Sequence, residues 1–360
     1  MGARWRSNRF TELAGVELPI VLGPFGGASS TALTAAVSNA GGLGSYGLYG
    51  YEPDRILETA RELRELTAMP FALNLWLPLD ESPQPDTARD GTQYARALAV
   101  LKPYFDRLGI TPPEPPERFL PDFEDQLEAV LAAAPAVLSV VYGVPSRDMM
   151  RRCRERGILV VGTATTVEEA VALDEAGIDA VVATGFEAGG HRVSFLAPAE
   201  ESLVGTISLV PRVVDRVGVP VIAAGGIADG RGTAAALALG ASAVQIGTAF
   251  LACDESAATP AHRAVLWSDR AEHTVLTRAF SGRLARGVPN EYSRRLDAEP
   301  DRAPFPAQNW LSGRIKAEAA RRDDPELMSL WAGQSAPLLR YREARALVRA
   351  IAAEVDEILA

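Results

Sequence analysis

Short runs of apolar residues recur along the chain, separated by longer segments in which apolar positions follow a helical period. Eight runs predict buried strands, over residues 19–22, 43–46, 71–75, 136–141, 159–162, 180–183, 220–224 and 243–246. Their nearly continuous apolar content is typical of parallel strands covered on both faces. Helices are predicted between most of them, over residues 31–39, 53–66, 123–133, 147–156, 167–176, 209–217 and 231–239.

The boundaries of these elements follow a common pattern. Thr166 and Glu169 have the spacing of a capping box, and Asp229 precedes another predicted helix. A glycine, which favours a left-handed helix end, stands between helix and strand at Gly157, Gly177, Gly218 and Gly240. Regular alternation over eight strands predicts an α/β fold of the (β/α)8 TIM-barrel type, with an open doubly wound sheet as the alternative.

Two regions interrupt the alternation. Residues 78–121 are rich in Pro, Asp and Glu, and only 92–105 there have a helical pattern, which predicts an insertion after the third strand. Residues 269–326 follow the eighth strand and are predicted to form a lid or substrate-capping segment. We therefore predict a barrel over 1–268 and a C-terminal segment over 327–360 whose amphipathic helix closes it.

Composition excludes several classes of function. The net charge is −10 and no extended basic run is present, so nucleic-acid binding is not expected. Cys153 and Cys253 are the only cysteines, which excludes a disulfide framework and favours the cytoplasm. No metal-binding Cys/His spacing occurs, and no apolar run approaches membrane-spanning length.

Two glycine-containing loops follow the seventh and eighth predicted strands. Gly225 and Gly226 end the first strand, and Gln245-Ile246-Gly247-Thr248 end the second. Backbone N–H groups and a helix N-terminus at such positions can bind a phosphate. Glycines also serve tight turns, so one such loop is weak support, but two on neighbouring strands favour a phosphate.

His191 is the candidate for proton transfer. It follows the sixth predicted strand and the pair Gly189-Gly190, and its unperturbed pKa near 6.5 is suited to proton abstraction. A structural hydrogen-bonding role is the alternative, and it is the role predicted for His262 and His273. Glu187 could act as a base, pair with Arg192 or orient His191.

Other residues at strand ends could contact a ligand. Asn74 ends the third strand, where its amide could bind a ligand or cap the loop. The loop that begins with Gly23, Pro24 and Phe25 would let a flat ligand approach the backbone. Cys253 is predicted to be a buried apolar residue.

Taken together, these motifs resemble the nitronate monooxygenase family. The resemblance covers most of the chain and is carried by residues 36–44, Asn74, 187–192, 224–227, 245–248 and 331–334. It implies a TIM barrel with FMN that oxidises alkyl nitronates with O2 to a carbonyl compound and nitrite, without a nicotinamide cofactor. His191 would be the base that deprotonates neutral nitroalkanes.

The resemblance also implies a set of FMN contacts. They are Gly23, Pro24, Phe25, Asn74, Thr184, Gly189, Gly225, Gly226, Gln245, Ile246, Gly247, Thr248 and Gln334. The phosphate would lie between Gly225/Gly226 and Gly247/Thr248. The sequence departs from the family pattern at Thr184, Phe25 and Val193, where relatives commonly have Gln, Met and Gly.

Three other functions compete with this one. The nearest is an FMN-dependent enoyl-acyl-carrier-protein reductase that uses NADH, since that family has similar Gly-Gly-His and Gly-Gly-Ile loops. The others are a catalytically silent flavin-binding protein and a phosphosugar-processing barrel without flavin. The expected partners are a small-molecule substrate and O2, with neither nucleic acid nor membrane, and a homodimer is a possible assembly.

Overall fold

The computed structural model describes residues 5–78 and 91–360. Within them, eight parallel strands form one sheet: β1 (Ile20–Leu22), β2 (Gly44–Gly47), β3 (Phe71–Trp76), β4 (Val137–Val141), β5 (Leu159–Ala164), β6 (Ala180–Thr184), β8 (Val221–Ala224) and β9 (Ala243–Ile246). Neighbours in the sheet follow chain order, β9 pairs with β1, and a parallel bridge joins Val21 to Leu43. The sheet therefore closes, which confirms the predicted (β/α)8 barrel and rules out the open doubly wound sheet.

Alternate residues of these strands face two different cores. One set, including Val21, Val161 and Ile222, packs inside the barrel with Phe10. Phe10 belongs to the helix Arg9–Ala14, which the sequence analysis did not predict. Its N-cap Asn8 also donates to the Ser242 carbonyl at 2.9 Å, so this short helix is fixed beside the start of β9. The other set packs against the surrounding helices.

Most barrel helices lie where the sequence predicts them. Their bounds are Thr31–Asn39, Pro53–Leu66, Phe123–Ala133, Arg147–Glu155, Val167–Glu175, Thr206–Val214 and Gly230–Ala238. Gly157, Gly177 and Gly240 have the expected positive φ, at 68°, 81° and 96°. Gly218 is not in this conformation, because the preceding helix ends at Val214 and the glycine lies in the loop beyond it.

The final helix, Ala344–Ile358, packs against the helices Gly230–Ala238 and Thr31–Asn39. It therefore lies between the last and first helices of the barrel wall. Shorter helices cover Thr248–Leu251, Pro260–Leu266 and Glu291–Leu296, and 3-10 turns cover Ala199–Glu201, Asp269–Glu272 and Ala336–Leu338. None of the described helices is both long and apolar enough to cross a membrane.

The insertion after β3 and the 269–326 segment share a second hydrophobic cluster. The helix Gly91–Leu108 contains the predicted 92–105 and packs against the helix Ala307–Arg321, which was not predicted. Buried Phe105 and Leu311 belong to this cluster, which also contains residues that follow β9. Residues 79–90 of the predicted insertion lie outside the described residues.

A small antiparallel sheet was also missed by the sequence analysis. It consists of β10 (Val275–Thr277), β11 (Ala285–Gly287) and β7 (Gly190–His191), with β11 in the centre. A bridge from Gly287 to Trp331 connects it to the C-terminal segment. The loop after β6 is thereby paired with the segment that follows the barrel strands.

Candidate active site

His191 lies at the junction between the barrel and this small sheet. It pairs with Ala285 of β11, and its Nε2 is 2.7 Å from the hydroxyl of Ser281. The imidazole ring is 5.2 Å from the ring of Trp76 and 5.3 Å from that of Trp331, measured between centroids. The histidine is therefore oriented by a residue of the 269–326 segment and enclosed by two indoles.

The surroundings of His191 change its acidity. Burial lowers its pKa from 6.5 to about 3, and the positive charges of Arg283 and Lys316 contribute in the same direction. The imidazole is only partly exposed, and the cost of desolvating its charged form is the largest contribution. The imidazole is thus neutral at neutral pH, although its basicity is lower than the sequence analysis assumed.

Aromatic side chains form a pocket beside His191. We call Tyr49, Trp76, Tyr142, Phe305 and Trp331 the aromatic pocket. The ring of Trp76 is 4.3 Å from Tyr49, 4.8 Å from Tyr142 and 6.0 Å from Phe305. Tyr142 has φ of 71°, a strained conformation for a bulky residue, and its buried hydroxyl has no partner within the described part of the chain.

Two cations border the aromatic pocket. The guanidinium carbon of Arg283 is 4.2 Å from the ring centre of Tyr142 and 4.1 Å from that of Phe305. The Lys316 ammonium donates to Oδ1 of Asn309 at 3.0 Å, and the Asn309 amide donates to the Tyr49 hydroxyl at 3.0 Å. Burial lowers the pKa of Lys316 to about 8.

The glycine loops after β8 and β9 present free backbone donors. The N–H groups of Gly225, Gly226, Gly247 and Thr248 donate to no acceptor in residues 5–78 and 91–360. Gly225 and Gly226 have φ of 99° and 73°, which residues with a side chain rarely adopt. Four unsatisfied amides at the ends of neighbouring strands fit an anion such as a phosphate.

The N-terminus of the helix after β8 is less available for binding an anion than the sequence suggested. The Gly230 N–H donates to the Glu354 carboxylate at 2.7 Å, and the Gly232 N–H donates to Asp229 at 3.1 Å. Two carboxylates therefore occupy the N-terminus of the helix Gly230–Ala238. An anion in this region would be bound by the loop amides rather than by this helix end.

Glu187 takes none of the three roles considered for it. Its carboxylate accepts from the backbone N–H of Thr206 at 2.9 Å and from the Thr206 hydroxyl at 2.9 Å. It therefore caps the helix Thr206–Val214. Arg192 donates instead to the carbonyl groups of Gly185 at 2.7 Å and Thr184 at 3.1 Å, which fixes the loop leading to His191.

The ends of β1 and β3 complete this face of the barrel. The Asn74 amide donates to the Ser139 hydroxyl at 2.9 Å, so the side chain is held inside the barrel end. The backbone of Gly23 approaches that of Gly247 so closely that a Cβ at Gly23 would be 3.1 Å from the Gly247 Cα. The Phe25 ring lies 3.7 Å from the position that a Cβ of Gly247 would take.

The segment 331–334 crosses the two loops, and we call it the C-terminal strap. The Gly333 N–H donates to the Thr248 hydroxyl at 2.8 Å, and the Gln334 N–H donates to the Glu187 carbonyl at 2.9 Å. A Cβ at Gly189 would be 2.6 Å from the strap backbone. The strap therefore brings Gly189 and Thr248 together, whereas the Gln334 side chain is exposed.

The structure thus gathers most of the predicted site residues at the C-terminal end of the barrel strands, where TIM-barrel active sites lie. His262 lies apart from this set: its Nε2 is 3.0 Å from the Trp331 carbonyl, and burial lowers its pKa to about 4. His273 follows the 3-10 turn Asp269–Glu272.

Ser281, Arg283, Lys316 and the aromatic pocket were not predicted from the sequence. Ser281 and Arg283 lie in a segment between 278 and 286 whose pairing with β7 could not be read from the chain. The sequence did contain one indication for Lys316. Of the 36 lysines and arginines only Lys102 and Lys316 are lysines, so a lysine is an unusual choice at either position.

Comparison with known proteins identifies the family. A family model described as nitronate monooxygenase matches residues 7–354. The chain belongs to the nitronate monooxygenase family. A probable nitronate monooxygenase from Staphylococcus saprophyticus is 38% identical, with 98% of this chain and 99% of that protein covered. The family predicted from the motifs is therefore confirmed, and the protein is an oxidoreductase.

Solved structures agree with this family assignment. A nitroalkane oxidase from Streptomyces ansochromogenes has a TM-score of 0.86 and 36% identity, with 97% of this chain and 98% of that chain covered. FabK from Thermotoga maritima has a TM-score of 0.76 and 31% identity, with 98% and 97% covered. The weaker second similarity does not favour the enoyl reductase alternative. The nitronate monooxygenase family uses a flavin, so the cofactor class is established.

Proposed function

We propose that this site oxidises alkyl nitronates with O2 to a carbonyl compound and nitrite, with FMN as the flavin and His191 as the base for neutral nitroalkanes. The observation that carries the proposal is the set of four amides at the ends of β8 and β9, which have no acceptor among the described residues and lie on the same barrel face as a neutral imidazole. The amides suit a monoester phosphate, and the imidazole is in the form that accepts a proton.

The FMN phosphate would be bound by the N–H groups of Gly225, Gly226, Gly247 and Thr248. The flavin, when bound, supplies the redox chemistry with O2. The remaining predicted contacts line the same barrel end and would bind the rest of the cofactor: Gly23, Pro24, Phe25, Asn74, Thr184, Gly189, Gln245, Ile246 and Gln334. For Gln334 a contact through the side chain requires that the exposed amide turn inward.

His191 would remove the proton α to the nitro group. Ser281 can accept a hydrogen bond from Nε2–H and donate its own proton to the Arg283 carbonyl, which is 3.3 Å away. That arrangement leaves Nδ1 unprotonated, and no described residue bonds to it. The proton taken from the substrate would then reside on an imidazole held in place by Ser281.

Residues 269–326 would act as the substrate-capping segment. This segment supplies Ser281, Arg283, Phe305 and Lys316, which border the space beside His191. It is also packed against the insertion helix Gly91–Leu108 through the second hydrophobic cluster. We therefore infer that the segment excludes water from the site and shapes the substrate pocket.

Two assays test the proposed function. Purified protein mixed with ethyl nitronate should consume oxygen and release nitrite, and its absorbance spectrum should contain the flavin bands. The same preparation with NADH and a crotonyl thioester should show no NADH oxidation. Activity only in the second assay would reverse the assignment, and a flavin-loaded protein inactive in both would favour the silent binding protein. An absence of flavin would favour the phosphosugar barrel.

The cellular location and the assembly stay predictions. Cys153 and Cys253 are buried and unpaired, as expected for a protein of the reducing cytoplasm. A homodimer is one possible assembly, and light scattering of the purified protein would test it.

A further inference from the structure

We propose that Arg283 and Lys316 form a two-cation subsite that binds the negatively charged nitro group of a nitronate beside His191. The subsite deepens the proposed function, since the identity of the anion rests on that function. Its preference for an anion rests on the positions and charges of the two side chains. The two residues come from different parts of the 269–326 segment and converge on the same pocket.

The position of Arg283 follows from the turn that holds His191. Its backbone N–H donates to the Ser281 hydroxyl at 3.2 Å, and the same hydroxyl contacts the imidazole. Its guanidinium then lies over Tyr142 and Phe305, at 4.2 and 4.1 Å. Both rings belong to the aromatic pocket, so the positive charge lies at the edge of that pocket, close enough to lower the pKa of His191.

Lys316 reaches the same space from the helix Ala307–Arg321. Its hydrogen bond to Asn309, and that of Asn309 to Tyr49, connect it to the ring that packs 4.3 Å from Trp76. Trp76 in turn packs against His191. The positive charges of Lys316 and Arg283 both lower the pKa of the imidazole.

Neither cation is paired with a carboxylate in residues 5–78 and 91–360. Among the described residues no carboxylate forms an ion pair with Arg283 or Lys316, although other arginines form many such pairs. Burial lowers the pKa of Lys316, and no carboxylate in the described part of the chain opposes that shift. Two partly buried positive charges that have no counter-ion among the described residues are costly, and an anionic ligand would offset that cost.

The geometry also distinguishes the subsite from the phosphate loops. The loops after β8 and β9 bind through backbone amides, whereas Arg283 and Lys316 present side-chain charge. A planar nitronate has two oxygens that share the negative charge, and it can accept hydrogen bonds from both cations. A neutral nitroalkane gains less from these contacts until its α proton has moved to His191.

The test uses the flavin-loaded enzyme and nitrate, a planar and unreactive anion. Nitrate binding is measured by calorimetry at constant ionic strength for the wild type, Arg283→Gln and Lys316→Met. The control is Arg314→Gln, an exposed position on the same helix as Lys316. We expect each pocket variant to weaken nitrate binding about tenfold and the control to leave it unchanged.

Kinetics separate a charge effect from a structural one. The KM for ethyl nitronate should rise about tenfold in the pocket variants, whereas the KM for neutral nitroethane should change less than about threefold. Arg283→Lys and Lys316→Arg keep the charge and should retain most of the nitrate binding. If a neutral variant does not fold, these charge-retaining variants can still be measured and still test the subsite.

The outcomes are distinct. Nitrate that does not bind the wild type, or that binds the pocket variants unchanged, overturns the subsite. Equal losses for nitronate and nitroethane, or for Arg314→Gln, overturn it as well. If neither substrate is turned over but nitrate affinity still depends on Arg283 and Lys316, the proposed function fails and the anion subsite stands.

Discussion

At the scale of the residue, the chemistry depends on an imidazole kept neutral by its surroundings. His191→Asn removes the proton acceptor but retains a polar group of similar size. We expect turnover of neutral nitroethane to fall about 10²- to 10⁴-fold, because general-base catalysis contributes that much. Oxygen uptake and nitrite release measure the loss, while the flavin absorbance should be retained.

Pre-formed ethyl nitronate is the internal control for this variant, because it has already lost its α proton. Its turnover should be affected far less than that of nitroethane. Equal activity of the variant and the wild type on nitroethane would remove His191 from the mechanism.

The pH dependence follows from the lowered pKa of His191. With a pKa of about 3, below the unfolded value of 6.5, the folded state holds the neutral form over most of the acid range. The kcat/KM for nitroethane should therefore show no acid limb near pH 6.5 when it is measured between pH 5 and 8. An acid limb near 6.5 that is absent from His191→Asn would contradict the assigned environment.

The same shift affects stability. The unfolded state binds a proton at His191 between about pH 6.5 and 3 that the folded state does not, so this group lowers the free energy of unfolding as the pH falls through that window. Denaturant titrations should show that the free energy of unfolding decreases less between pH 7 and pH 5 for His191→Asn than for the wild type. Equal decreases would argue that the histidine is not desolvated.

The sequence indicated which residues cap helices or line the site more readily than it indicated their hydrogen-bond partners. Thr166 accepts from the Glu169 N–H as predicted, but the Glu169 carboxylate instead binds Thr165 and the backbone of Phe195. The reason is tertiary, since the loop after β7 offers donors that a capping box does not. Glu187 likewise satisfies a helix N-terminus that lies 19 residues away.

At the scale of the element, the C-terminal strap depends on the close approach of two backbones. A Cβ in Gly189→Ala would lie 2.6 Å from the carbonyl carbon of Ala332 and the nitrogen of Gly333. Because backbone cannot rotate out of the way, the strap must move. We expect a loss of about 1–3 kcal/mol in the free energy of unfolding and a lower flavin content, measured by denaturant titration and absorbance.

Gly313→Ala is the matched control for this substitution. Gly313 lies within the helix Ala307–Arg321, and outside the backbone of that helix its added Cβ would have no described atom within 4 Å. The change should stabilise the protein by about 0.5–1 kcal/mol because alanine is the better helix former. A Gly189→Ala variant as stable as the wild type would mean that the strap does not lie against this loop.

The barrel elements could be predicted because each has a strong local pattern. An apolar run such as 180–183 and a helix such as 53–66 are specified by periodicity and boundary residues within a few positions. The small sheet could not be predicted in this way, since β7 has only two residues and its strand pairing joins Ala285 to His191. Such a pairing depends on contacts between residues far apart in the chain, and these contacts produce no periodic pattern of apolar residues.

At the scale of the whole molecule, the site is assembled by the core between the barrel strands and their helices, called here the barrel core, and by the second hydrophobic cluster. The barrel core positions the strand ends, including Asn74 and the glycine loops. The second cluster, which joins the insertion helix to the capping segment, positions the helix that carries Lys316. We infer that the barrel determines cofactor binding and the second cluster determines substrate binding.

This division predicts different effects for two equally buried leucines. Leu311 lies in the second cluster and Leu173 in the barrel core, and each is fully buried. Either Leu→Ala substitution should lower the free energy of unfolding by about 2–5 kcal/mol through the cavity that it leaves. Only Leu311→Ala loosens the helix that bears Asn309 and Lys316, so only this variant should raise the KM for ethyl nitronate. Denaturant titration measures the first effect and steady-state kinetics the second. A similar rise in KM for both variants would mean that the two cores act as one unit and that substrate binding is not governed by the capping segment.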